Sequence, residues 1–228
     1  MPLNGKAFLV VWHDIEEKAE AEYSLWHTVQ HMPERVGIPG FQVGRRYVNW
    51  DLNLHRYFTL YEGDSLDVFG SDAYRERLDS PTGWTTRMAP AFTNFIRSAC
   101  ETLVSNGRGV GGVLATLRLR IDDPAEVPFR SEAAHLAEEF LQLPGIVGAH
   151  LGCATAERAY LDTAESALRT TTGDNEFDVV VMVEGIGRGE VEAARGVIES
   201  RVGAIQGINI TGSAIYDLAY LLAAEPLR

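Results

Sequence analysis

The sequence predicts an α+β fold in which two similar β-α-β-β-α-β units follow one another in one chain. Three observations carry that expectation. Strand-like and helix-like segments recur in the same order in both halves. The turn Ile38-Pro39-Gly40-Phe41 is echoed by Leu143-Pro144-Gly145-Ile146. Tyr61-Glu62-Gly63 is matched by Val183-Glu184-Gly185. Repetition of this kind marks a duplicated architecture.

The first unit, residues 1–104, opens on the apolar run Ala7–Trp12, of strand length and composition. A polar, Glu-rich helical stretch follows from about Ile15 to His31. Strands are expected near Phe41–Asn49 and His55–Glu62, and Gly63-Asp64-Ser65 supplies side chains that can cap free helix amides. Short helical pieces then cover about Ser65–Leu78, and Asn94–Val104 closes the unit. A glycine-rich polar linker spans residues 105–112; its Gly107–Gly112 stretch lacks the lysine-serine/threonine pair of a phosphate loop.

The second unit, residues 113–228, repeats the order. It has a strand at Val113–Ile121, a helix at Arg130–Leu141 and a strand at Glu176–Glu184. A helix at Gly189–Val202 places Val191, Ala194, Ile198 and Val202 at helical spacing, and Ile208–Leu218 closes. A helical insert near 156–169 is the main departure. Each half is thus a ferredoxin-like motif, with helices on one face of an antiparallel sheet and the other face left to be covered. Two tandem units can cover those faces against each other.

Composition narrows the functions. Hydrophobic residues make up 46% and charged residues 23%, as in an ordinary globular chain. The formal net charge of -12 argues against a nucleic-acid backbone and against anionic membranes as partners. No apolar run approaches the ~20 residues needed to cross a bilayer, and the first residues lack a basic, then apolar, signal pattern. Cys100 and Cys153 form no CxxC motif and lie in apolar contexts, as buried thiols do. The expectation is a soluble, cytoplasmic protein with a small-molecule ligand, open to homo-oligomerisation.

The chemistry concentrates in Trp26–Phe41. His27 and His31 stand four residues apart, about one helical turn, and so share a face. Either can accept or donate a proton near neutral pH. Pro33 places them near a kink or helix end, where exposed carbonyls favour protonated histidine. Tyr23 adds a phenol one turn earlier, and Arg35 can hold a carboxylate or enolate oxygen or pair with an acid such as Glu34. On the second strand Arg45 and Tyr47 share a face that could meet an anionic ligand. The candidate catalytic residues are His31, His27 and Arg35, and the candidate ligand-binding residues are Tyr23, Trp26, Arg45 and Tyr47. A metal site is not expected, because His-x3-His supplies two ligands with no HExxH glutamate between them. The first helix of the second half carries His135 without the Trp-His…His-Met-Pro pattern, so the site is expected in the first half.

With its duplicated unit, the turn Ile38-Pro39-Gly40-Phe41 and the pattern Trp26-His27…His31-Met32-Pro33, the chain resembles the dimeric α+β barrel superfamily, particularly its EthD-like branch. The resemblance implies an intrachain barrel with a ligand cavity between the two sheets. It also implies a small-molecule enzyme of catabolic or secondary metabolism, working by proton transfer without a dedicated cofactor, as an isomerase, cyclase or lyase does. The alternative is a non-catalytic binding or accessory protein using the same cavity. Haem, found in tandem barrels of this superfamily, is a third possibility that would need His135 or His150 to face a large cavity.

Overall fold

A computed structural model of the chain describes residues 2–155, 162–169, 173–174 and 177–224. In the first unit, β1 (Ala7–Ile15) passes through a 3-10 turn (Glu17–Ala19) into one continuous helical run. That run consists of α1 (Glu20–Trp26), a π-helical turn (His27–His31) and α2 (Met32–Val36). It continues with β2 (Phe41–Val48), β3 (Tyr57–Gly63), α3 (Asp72–Asp79), α4 (Gly83–Met88) and β4 (Phe92–Gly107). The second unit comprises β5 (Val113–Ile121), α5 (Asp123–Phe140), β6 (Ile146–Ala154), the two-residue β7 (Gly173–Asp174), β8 (Val179–Gly185), α6 (Arg188–Gly203) and β9 (Ile208–Ala223).

Eight strands close into an antiparallel barrel in the order β1-β3-β2-β9-β5-β8-β6-β4, and β4 returns to pair with β1. The short β7 lies parallel against β4. Closure satisfies the strand edges that an open sheet would expose. The two long strands make the join. β4 pairs with β1 through Phe92–Glu101 and with β6 through Cys100–Gly107. β9 pairs with β5 through Ile208–Asp217 and with β2 through Asp217–Ala223. The units therefore share strands instead of merely stacking, and residues 105–107 of the expected linker belong to β4. Of the expected insert, residues 156–161 lie outside the described residues, and the remainder holds a 3-10 turn at Ser166–Leu168. Helix α5 starts earlier than its periodicity suggested and continues through Pro128.

The echoed Pro-Gly turns have one physical cause. Gly40 and Gly145 adopt φ of +92° and +76°, which a side chain would strain. Each turn is closed by a backbone bond, Phe41 N–H to Ile38 O at 3.0 Å and Ile146 N–H to Leu143 O at 3.2 Å.

Three apolar cores result. Helices α1–α4 cover one face of the first sheet around Leu9, Val11, Trp26, Tyr61 and Phe92. Helices α5 and α6 do the same in the second unit around Leu117, Phe129, Leu136 and Phe140. The barrel interior is filled by Phe8, Val10, Trp12, Tyr47, Phe58, Met182 and Tyr216. A buried charge cluster shares that interior. Arg45 pairs with Glu62 at 2.7 Å and with Glu184 at 2.5 Å. Glu184 also accepts the Gly111 N–H at 2.7 Å and lies 3.5 Å from His150 Nε2. Because the barrel wall is buried on both faces, all nine residues of β1 are buried.

A cavity in the first unit, between helices and sheet

The structure moves the expected cavity. The space between the sheets is packed, whereas a narrow cavity of about 50 Å³ opens between the helices and the sheet of the first unit, with about 560 Å³ of empty space once its mouth is included. Its floor is Leu9, Val11 and His13 of β1 with Thr59 and Tyr61 of β3. Its roof is Trp26, His27, His31 and Arg35, and Phe92, Phe95, Glu165 and Arg169 contribute the sides.

Local sequence explains the roof. Pro33 has no N–H to return to Val29, and its ring would crowd that carbonyl in a regular α-helix. The run answers by widening: the Met32 N–H bonds back five residues to His27 O, and His27–His31 forms a π-helical turn. Such turns recur at functional sites. The helix does not end at Pro33 but continues to Val36, so the expected partial negative charge of a helix C-terminus, which would favour protonated histidine, is not beside this pair. His27 and His31 nevertheless share a face, with ring centroids 5.3 Å apart, and Trp26 lies 4.4 Å from His31.

The histidines are held neutral. Burial pushes His27 well below the ordinary imidazole value, reinforced by His31 and Arg46. Burial does the same to His31, with Arg35 and Arg169 adding to it. His27 is buried and His31 half-buried at the mouth. The Nδ1 atoms of both, together with Trp26 Nε1 and the Tyr61 hydroxyl, are buried with no hydrogen-bond partner among the described residues. Burial, first among several causes, raises the Tyr61 phenol far above its usual value, so it stands as a donor. Unsatisfied buried polar atoms are costly, and these four residues all line the cavity.

His13 is a weaker candidate from the sequence, where a solvated strand end is the favoured reading and a place at a cavity mouth the alternative; the structure places it in the cavity lining. It is buried, its Nε2 is 3.1 Å from the Tyr23 hydroxyl, and its ring stacks on Tyr57 at 5.3 Å. Burial lowers its pKa to about 3. Tyr23 itself stands behind the wall, 5.2 Å from the His27 ring, with its hydroxyl engaged by His13. Trp26, His27, His31 and Arg35 are brought together on the cavity. Arg45 and Tyr47 are not: they share a face as expected, but it is the barrel interior, where Arg45 is committed to two glutamates.

Arg35 finds its acid outside its own helix. It is ion-paired with Glu165, not Glu34, and Glu165 also accepts from Arg169 at 2.8 Å. Burial opposes the charge on Glu165, but the two guanidiniums outweigh it and hold the carboxyl below its usual value. This acid comes from the second unit, on the segment between β6 and β8, and nothing local in the sequence connects it with Arg35.

The chain matches no family model, and no curated protein matches it in sequence. Solved structures match it over nearly its whole length. An anthrone oxidase-like protein superposes with a TM-score of 0.62 at 11% identity, covering 99% of this chain and 97% of its own. A protein assigned as a monooxygenase from Fusobacterium nucleatum gives 0.58 at 9%, over 98% and 97%. A mutant chlorite dismutase from Candidatus Nitrospira defluvii, in complex with cyanide, gives 0.56 at 9%, over 95% and 92%. These structures share the fold of this chain, a closed antiparallel α+β barrel built from ferredoxin-like units.

Neither histidine weighed as a haem ligand lines the first-unit cavity. His150 is locked in the packed barrel, with Nδ1 bonded to Ser105 at 2.7 Å. His135 is exposed on α5, and the space beneath α5 is filled by Phe129, Leu136 and Phe140. No cluster of His, Cys, Asp or Glu among the described residues is arranged to hold a metal, and no described helix is long and apolar enough to cross a membrane.

Proposed function

We propose that this barrel is a small-molecule enzyme that removes a proton from a compact, oxygenated, partly aromatic substrate held between the helices and sheet of the first unit. The observation that carries this reading is the pair of neutral histidines with unpartnered Nδ1 atoms in a largely apolar cavity. His31, at the mouth, is the base, and His27 stands behind it. A neutral imidazole can accept a proton from an acidic C–H or O–H group at physiological pH. Burial and the nearby guanidiniums disfavour the imidazolium so formed, which favours prompt return of the proton. Isomerisation, cyclisation and elimination differ in where it returns.

The conjugate oxyanion has partners in place. The Tyr61 hydroxyl and Trp26 N–H are preorganised donors inside a water-poor space, where such donors act most strongly. Phe92, Phe95 and Trp26 offer flat walls to a ring. The EthD-like resemblance rests on Trp26, His27 and His31, the residues that meet at the cavity. The name of the anthrone oxidase-like neighbour suggests a probe, since anthrone is a flat ring system with an acidic methylene.

Deuterium wash-in at that methylene in D2O, followed by NMR, tests the proposal. The wild-type protein should accelerate exchange above buffer. His31→Gln should lose about 10² or more of that acceleration while still binding anthrone. Unchanged exchange in His31→Gln would remove this residue from the mechanism. Binding without acceleration in the wild type would favour a carrier protein instead.

A further inference from the structure

Glu165 occupies a peculiar position. It is buried, as is Arg35, and it belongs to the second unit while closing the cavity of the first. Two guanidiniums converge on its one carboxylate, Arg35 on one oxygen and Arg169 on the other. Each guanidinium is held by an aromatic ring that steadies it without cancelling its charge: Arg35 over Tyr74 at 5.9 Å, Arg169 over Phe95 at 4.3 Å. An ion pair serving only cohesion needs one cation for each anion. Two guanidiniums, each meeting a different oxygen of one carboxylate at a cavity wall, form an anion seat.

The occupant of that seat is carried on a segment outside the eight barrel strands. The segment carrying Glu165 meets α3 through the Glu165 N–H to Leu78 O at 2.9 Å and the Ala164 N–H to Asp79 Oδ1 at 3.1 Å. Neither bond involves a barrel strand. The seat adjoins the histidines, since Arg35 is one turn beyond His31 on the same helical run.

We infer that the seat between Arg35 and Arg169 binds a carboxylate or similar two-oxygen anion of the ligand, and that Glu165 is its built-in competitor, displaced when that ligand enters. This rests on the small-molecule reading above and narrows it to acidic substrates. The ligand's anionic end would replace Glu165 and its ring would lie toward Trp26 and His31. With no ligand bound, the protein's own carboxylate would fill the seat and keep both guanidiniums paired.

The test measures binding, so it stands apart from any failure of proton transfer. Benzoate and its neutral isostere benzamide are titrated into the full chain by calorimetry, with wild type, Glu165→Gln and Arg169→Gln compared. Wild type should prefer benzoate. Glu165→Gln should raise the benzoate-over-benzamide preference at least tenfold, because the competing charge is gone. Arg169→Gln should lower it at least tenfold. If Glu165 is only a structural partner, its replacement lowers the melting temperature and leaves the preference unchanged, and the inference fails. It fails equally if neither variant alters the preference or if benzoate binds none of the three proteins. Should Glu165→Gln not fold, the Arg169→Gln comparison decides alone.

Discussion

Replacing Arg45 with Met should be among the most damaging single changes in this chain, and its effect can be worked from the barrel interior. Arg45 is 2% exposed and bridges Glu62 and Glu184, both 0% exposed. Removing one partner of a buried ion pair costs about 3–5 kcal/mol, because the other charge is left buried alone. For a chain of this size that corresponds to a fall in melting temperature of roughly 6–20 °C. The loss should depend on pH. In the wild type, burial opposes ionisation of Glu184, but hydrogen bonding from His150 and the charge of Arg45 prevail and hold its carboxyl below the usual value. A group depressed in this way contributes stability above its unfolded pKa and loses it as pH falls through the folded value. Without Arg45 one of the causes that hold the Glu184 carboxyl down is gone, so its ionised form is less stable in the variant than in the wild type. The deficit is carried by the ionised form and shrinks as pH falls and the carboxyl takes up its proton. Urea unfolding should therefore show a larger deficit at pH 8 than at pH 5. The triple variant Arg45→Met, Glu62→Gln, Glu184→Gln should recover most of it. A single variant within about 1 kcal/mol of wild type at both pH values would refute the claim that this cluster is charged and buried.

Two further expectations concern the cavity wall. His13 stays neutral down to about pH 3 in the folded chain, whereas an unfolded imidazole takes up its proton near pH 6.5. The unfolded state therefore binds more protons between those values, and stability falls as pH drops through that window. His13→Phe should show a shallower loss of melting temperature between pH 7 and pH 4.5, and equal slopes would contradict the assignment. Gly44 faces the helical run so closely that an added Cβ would meet Met32 Cγ at 3.0 Å and Tyr61 Cε1 and Val36 Cγ2 at 3.1 Å. Gly44→Ala should cost about 1–3 kcal/mol through overpacking, measurable by urea unfolding; a neutral result would mean that α2 can shift away from β2.

The duplicated architecture could be read from the sequence because its signals are local. Pro-Gly turns, Glu-Gly strand ends and helical spacing each need only a few neighbouring residues. The shared face of His27 and His31 was readable for the same reason, since residues four apart align in an α-turn and remain near each other in a π-turn. The π-turn itself was not readable, because Pro33 permits either a stop or a widened turn and packing chooses between them. Arg45 and Tyr47 show another limit. Period-two alternation puts them together, but a barrel wall has two buried faces, and alternation cannot say which one meets the cavity. Glu165 was out of reach for a third reason: its link to Arg35 joins residues 130 positions apart, and no local pattern records such a meeting.

The two long strands have a consequence for how the chain is made. β2 gains its second neighbour only when β9 arrives, pairing Val43 with Ala223, and β4 needs β6 to cover its outer half. During synthesis the first unit therefore leaves the ribosome with one sheet edge unpaired and Phe8, Val10 and Phe58 exposed on what will become the barrel lining. Only the final strand seals it. Such long-range closure is slow and leaves the half-made chain prone to associate with copies of itself. Cutting the gene between the units should yield two fragments that are insoluble apart and recover the barrel when expressed together.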